Sequence, residues 1–318
     1  GYDMTRDGGR CANQGGTIWQ EAGEDGKKKL VHPPPLKILD FKLGRDLTFE
    51  KLEDLFQGSQ KTLRLLVSKT NAHHDPTGLL SPLISQLRDT CRQATLFCKG
   101  QMEAEVHPNI WTLWLQQHYE VLRCTRHAYP RLQDAHLIVH GQVSVITSAD
   151  ASTGLIITVH LSHPNSQGTR TITFHTSHCY LTDPSTSIPK RELTSGSIAS
   201  FLTYQIRLEL GKRVKNVKVL LDSLIAIFWI ISNSDHLSQF VHNRVKNIRT
   251  NINVTEELYH VSGKHNISDI GSKFKRIPDI NNPNKMSKEK MLTAEDVAPD
   301  SPFHLGPDFY KDLDKAEK

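Results

Sequence analysis

The stretch VSVITSADASTGLIITVHLSHPNSQGTRTITFH, residues 143–175, decides the fold. Val143, Val145 and the run to Ala149 read as one strand and Leu155–Leu161 as a second. Thr169–His175, with Ile172 and Phe174 alternating against threonines, reads as a third. Asp150-Ala151-Ser152-Thr153 joins the first pair and His163–Gly168 the second, and links this short predict an antiparallel meander. Downstream, Ile198, Leu202, Ile206 and Leu210 recur at helical spacing. They are followed by a strand through Val217, Val219 and Leu221, a helical apolar run Leu224–Ile231, a helix over 236–249, a strand Glu256–Val261 and a short helix after Asn266. The order is βββαβααβα, an α/β fold.

Four acids fall at the ends of these elements. Asp150 closes the first strand, Glu192 lies in the first turn of the first helix, Asp222 closes the fourth strand and Asp269 opens the last helix. Taken singly, each is an ordinary turn, cap or dipole choice. Taken together, they converge if strands one and four are parallel neighbours, and so many anionic oxygens in one cleft call for divalent cations. Magnesium or manganese is the natural occupant, and two ions can clamp the attacking and leaving oxygens of a phosphodiester.

The Asp, Glu, Asp, Asp order on this framework is similar to the ribonuclease H arrangement, a mixed five-stranded sheet. The local blocks go further. Ser148-Ala149-Asp150-Ala151-Ser152, Ile188-Pro189-Lys190-Arg191-Glu192-Leu193, Asp222-Ser223 with Phe228-Trp229-Ile230, Phe240–Val245 and His260–Asp269 resemble, in order, the polyproteins of BEL/Pao LTR retrotransposons. Upstream, Asp75-Pro76-Thr77-Gly78-Leu79-Leu80-Ser81-Pro82 and Tyr129-Pro130-Arg131 resemble that family's segment joining reverse transcriptase to ribonuclease H, and Gly306-Pro307-Asp308-Phe309 resembles the block that follows. The likeness runs from about Thr62 to Tyr310. Arg191 stands where the family prefers an apolar residue, Ile267 replaces the proline of an Asn-Pro-Ala-Asp block, and Gly271-Ser272-Lys273 approximates Ser-Arg-Gly. The chain has no Asp-Asp pair of the polymerase type and no protease or integrase motif.

The resemblance implies a nuclease, specifically an endonuclease and hydrolase of reverse transcription that cuts the RNA strand of RNA–DNA hybrids. In that reading Asp150 and Asp222 bridge or flank two Mg2+ or Mn2+ ions, Glu192 binds one ion and positions the attacked strand through its 2′-hydroxyl, and Asp269 completes the second ion's ligand set. His265 aids proton transfer at the leaving group. The expected partners are the hybrid and the reverse transcriptase portion of the same polyprotein. The alternative is a catalytically silent relic that binds nucleic acid.

The remaining sequence sets boundaries. Residues 1–35, ending in Pro33-Pro34-Pro35, read as a poorly ordered lead, 36–135 as a mostly helical connection segment, 136–276 as the ribonuclease H-like domain and 277–318 as linker and tail, with the folded mass between about Leu36 and Lys275. Leu80, Ile84, Leu87, Cys91, Ala94 and Cys98 predict one amphipathic helix there, and Ile110, Leu113, Trp114, Val121 and Leu122 a second. No apolar run approaches the roughly 20 residues of a membrane span. Five scattered cysteines fit neither a disulfide framework nor a zinc module, which points to an intracellular compartment, cytoplasmic or nuclear. His73-His74 beside Cys91 and Cys98 matches no zinc spacing, and Trp111, Trp114 and Trp229 read as core. The +5 net charge, with Lys212, Arg213, Lys215, Arg244, Lys246, Arg249 and Lys264 in the domain, is compatible with a polyanionic partner.

Overall fold

The computed structural model describes residues 48–73, 75–124, 142–164, 169–232 and 237–311. The lead at 1–35, the Tyr129-Pro130-Arg131 block, His74 and the turn at 165–168 lie outside these residues. Four helices come first: α1 (Phe49–Asp54), α2 (Leu63–Asn71), α3 (Ser81–Phe97) and α4 (Pro108–Arg123). Their starts are written locally. Thr48 and Thr62 accept from the amides of Lys51 and Leu65, and proline stands in the first turn of both α3 and α4, where a missing N–H costs nothing. Trp111 and Trp114 are buried as expected, with Phe56 edge-on to both rings.

The meander follows as β1 (Val143–Ala151), β2 (Gly154–Pro164) and β3 (Arg170–Leu181), then α5 (Ile188–Leu210), β4 (Val214–Leu221), α6 (Leu224–Ile231), α7 (Gln239–Asn251), α8 (Val254–Glu257), β5 (Leu258–His260) and α9 (Asp269–Ser272). The sheet order is β3-β2-β1-β4-β5, with β1 antiparallel to β2 and parallel to β4. The expected mixed sheet is therefore present, with β1 and β4 adjacent and parallel. Alternation sorts the two faces. Val143, Val145, Ala149, Val217, Val219 and Leu221 pack under α5, α6 and α7, whereas Ile146 and Leu220 face the other way, against Val261, Ile267 and Tyr310.

Two expectations change. The folded mass does not stop at Lys275: Phe274, Ile277, Leu292, Ala294, Val297 and Phe303 enter the core of α1–α4, and Tyr310 enters that of the sheet. Buried polar side chains hold this strap by its backbone. Gln86 donates to the Leu292 carbonyl at 2.8 Å and accepts from its amide at 3.1 Å, Gln93 accepts from the Ile277 amide and Glu120 from the Ala294 amide. Each contact satisfies a group that burial would otherwise leave unpaired. Second, Trp229, expected in the core, is only partly buried and packs against it; in the same apolar run of α6, Ala226 and Ile230 are buried while Leu224, Ile225, Phe228 and Ile231 are exposed.

The helical layer joins the sheet through the Asp75–Pro82 block. The Asp75 carboxylate accepts from the amides of Leu79 and Leu80, and Thr77 takes the Ser177 amide and the Thr176 hydroxyl on its carbonyl. Gly78 sits at φ +74°, and a Cβ there would lie 1.8 Å from the Ser177 carbonyl oxygen. Gly78→Ala therefore combines a left-handed backbone with a backbone clash, and should cost about 3 kcal/mol or more. Urea midpoints for wild type and variant measure it.

Candidate active site

Strand register brings the first two acids together. Ser148 pairs with Leu220 across the parallel β1–β4 ladder, so two residues further along Asp150 stands beside Asp222 on the same face. Glu192 comes from α5. Because that helix begins at Ile188, with Pro189 in its opening turn, Glu192 sits one turn further in than expected. The Asp222 charge acts on it, and the Ser223 hydroxyl, which also caps α6, lies against it.

Asp269 is positioned by a polar clamp. Asn266 accepts from the Ser148 hydroxyl and donates to the Ala149 carbonyl at 3.0 Å, and Ser268 donates to the Ser148 carbonyl at 2.9 Å and shares a hydrogen bond with Thr158. The loop 266–268 is thus tied to β1 just before Asp150. The β1–β2 turn is tied in turn to α9, through the Thr153 amide and the Ser272 carbonyl.

Electrostatics shows the convergence. Asp150 is 4% exposed, and burial first, then the charges of Asp222 and Asp269, push its carboxyl up to about 6, with Ser272 and Lys273 opposing. Glu192 is raised by burial and by Asp222, with Ser223 and Lys273 opposing. Lys273 pairs with Asp269 one helical turn away; partial burial disfavours its charge, yet Asp269, Asp150 and Asp222 together hold its ammonium above the usual lysine range. The four acids and this lysine form one electrostatic unit. His265 stands apart from it: exposed, its Nδ1 3.1 Å from the Ser262 hydroxyl, its ring against Phe309. Its loop nevertheless borders the site, since a Cβ on Gly263 would lie 3.3 Å from Asp222 Oδ2.

The donor chemistry fits a hard cation. All four candidate ligands offer carboxylate oxygen, and Asp150 Oδ2 is buried without a hydrogen-bond partner. Among the described residues, however, no group of three or more His, Cys, Asp or Glu side chains is already arranged to hold a metal ion, so binding one requires side-chain rotation within the cluster.

The sequence pointed to all four acids but not to the residues that place them. Lys273 was legible as an i,i+4 partner of Asp269, a spacing common to many surface pairs. The Ser148–Asn266–Ser268 clamp joins residues more than a hundred positions apart and has no local signal. Within the basic stretch, Lys212, Arg213 and Lys215 are exposed, but Lys218 is buried over the Tyr259 ring and is no surface cation. His73 is likewise no ligand: its Nε2 meets His118 Nδ1 at 2.9 Å in the interior.

A mixed sheet of this order, with acids at the ends of β1 and β4, defines a ribonuclease H-like protein. The family model described as Pao retrotransposon-like RNaseH-like domain matches residues 62–223, just over half of the chain. The chain belongs to this BEL/Pao retrotransposon family. The matched region contains Asp150, Glu192 and Asp222 and ends before His265 and Asp269. No curated protein is significantly similar to the chain.

Proposed function

We propose that the protein is a divalent-metal-dependent ribonuclease that hydrolyses the RNA strand of RNA–DNA hybrids, the product of a retrotransposon polymerase region. The observation that carries this reading is the buried Asp150 carboxylate, its Oδ2 without a hydrogen-bond partner, beside Asp222 at the ends of two parallel strands. Asp150, Glu192, Asp222 and Asp269 would hold Mg2+ or Mn2+, which would supply water activation and charge neutralisation at the phosphodiester. Around that centre, Glu192 orients the attacked strand by accepting from a ribose 2′-hydroxyl, which selects RNA over DNA. His265, exposed on a loop bordering Asp222, delivers a proton to the leaving oxygen. Asn266 and Ser268 keep Asp269 in place. A nucleic acid is the substrate class the family supports, and no described helix is long and apolar enough to cross a membrane.

A second reading has its own observation. Lys273 already neutralises part of the acid cluster, and among the described residues no three acids are assembled as ligands, as expected of a silent relic that binds nucleic acid without cutting it. Metal-linked stability separates the two. Millimolar magnesium should raise the melting temperature of the wild-type chain, because a cation that binds only the folded state stabilises it. The variant Asp150→Asn, Glu192→Gln, Asp222→Asn, Asp269→Asn should lose that response and melt higher than wild type without metal, as repulsion is relieved. A wild-type protein indifferent to magnesium and manganese supports the relic.

A further inference from the structure

Three arginines meet where the helical layer touches the rim of the acid cluster. Arg92 comes from α3, Arg191 from α5 next to Glu192, and Arg276 from the strap after α9. Shared partners fix their proximity. Arg92 donates Nη1 to the Thr182 carbonyl at 2.6 Å and Nη2 to Asp89 at 2.5 Å, and the other Asp89 oxygen is 3.5 Å from Arg276 Nε. Arg191 donates Nη1 to the Ser152 carbonyl and Nη2 to the Pro184 carbonyl, both at 2.8 Å. The Thr182 hydroxyl donates to the carbonyls of Ser152 and Thr153, so Arg92 and Arg191 hang on one knot of backbone beyond the ends of β1 and β3, and Arg276 is held to Arg92 through their shared partner Asp89.

The acids that face the three arginines differ in burial: Asp89 is fully buried and is already divided among Arg92, Arg276 and Gln93, while Asp183, which acts on Arg191 and Arg92, and Glu289, which acts on Arg276, are exposed and screened by solvent. Arg191 is held below the usual arginine range by burial and by the Arg276 and Arg92 charges, with Asp183 offsetting part. Donors are in surplus. Arg191 Nε and Arg276 Nε are buried and donate to nothing, and the terminal nitrogens of Arg276, a side chain 25% exposed, make no hydrogen bond among the described residues. Guanidinium forks of this kind match phosphate oxygens.

We propose that Arg92, Arg191 and Arg276 form a seat for a phosphate oxyanion, supplied by the backbone of a nucleic acid lying across the acid cluster. This rests on the hybrid-substrate reading for the source of the phosphate, though not for the seat itself. The site would anchor the strand beside Ser152, two residues beyond Asp150, and so couples the helical layer to substrate positioning.

The experiment uses the full chain in EDTA, with labelled RNA–DNA hybrid followed by fluorescence anisotropy across a salt series, and inorganic phosphate followed by melting temperature. Arg276→Gln leaves Asp89 with Arg92 and Gln93, and Arg191→Leu removes the guanidinium that binds the Ser152 and Pro184 carbonyls; circular dichroism and metal-free melting verify that both fold. Each variant should weaken hybrid binding about 5- to 10-fold and reduce the slope of log K against log salt by about 0.9, one phosphate contact. Phosphate should stabilise wild type and neither variant. If phosphate stabilises only wild type while hybrid binding is unchanged, the seat takes free phosphate. If wild type binds no hybrid, the hybrid-substrate reading fails while the phosphate arm still tests the seat. Folded variants matching wild type in hybrid affinity, salt slope and phosphate response would overturn it and leave the arginines as carbonyl clamps. Should Arg191→Leu fail to fold, Arg276→Gln decides alone.

Discussion

Asp222→Asn is expected to abolish cleavage of the RNA strand while leaving affinity for the hybrid within a few-fold. The substitution keeps shape and removes charge at the end of β4, where Asp222 faces Asp150, acts on Glu192 and lies against the loop of His265. Losing several kcal/mol of transition-state stabilisation corresponds to a rate loss on the order of a thousandfold. Binding depends instead on cations meeting phosphates, so Lys212→Gln and Lys215→Gln should weaken affinity and its salt dependence while sparing the rate at saturating hybrid. Single-turnover rates and anisotropy on the same preparations separate the two effects. Equal loss of rate and affinity in Asp222→Asn would assign the acid to folding rather than chemistry.

The second large effect is acid lability, and it originates far from the acids. His73 and His118 share a hydrogen bond inside the helical layer, with Trp114 stacked on His118; burial lowers His73 to about 4 and His118 to about 3, with Arg88 adding to the first and His73 and Lys69 to the second. His160, bonded to the Phe303 carbonyl, is lowered to about 4 by burial, that bond opposing. All three are neutral in the fold and free to protonate when unfolded. Their contribution is therefore complete above the unfolded value near 6.5 and is lost as pH falls through 6.5 to about 4, each on the order of 3 kcal/mol. Asp150 runs the other way: raised to about 6, it favours the metal-free fold progressively as pH drops from 6 to 4, by about 3 kcal/mol. Burial also raises Asp75 and Glu192 and also lowers His175 and His178, so five histidines act against three acids; the melting temperature in EDTA should fall between pH 7 and pH 4.5, and His118→Gln should flatten the fall. A melting temperature that holds or rises over that range would show that these histidines keep their protons when folded.

What the sequence disclosed, and what it hid, follows from the range over which each signal acts. The β1–β4 neighbourhood was legible because period-two alternation and short turns fix strands locally, and parallel register then carries Asp150 to Asp222. The strap was not. Phe274, Ile277, Leu292, Ala294, Val297 and Phe303 are spread among Pro, Asn and Lys with no helical or strand period, and they fold by docking onto a surface made two hundred residues earlier, as Gln86 and Leu292 show. Composition also misled at α6, where an apolar run buries two residues and exposes four. At the site, the acids announced themselves by position at element ends, whereas Lys273, Asn266 and the three arginines act through contacts that only the folded chain creates.

The most direct test of the central claim is gel electrophoresis of an RNA–DNA hybrid, its two strands carrying different labels, incubated with the wild-type chain in magnesium and in manganese. Cut RNA, intact DNA, no product from a DNA duplex and none in EDTA are the expected results. Hybrid that is bound yet uncut in both metals would contradict it.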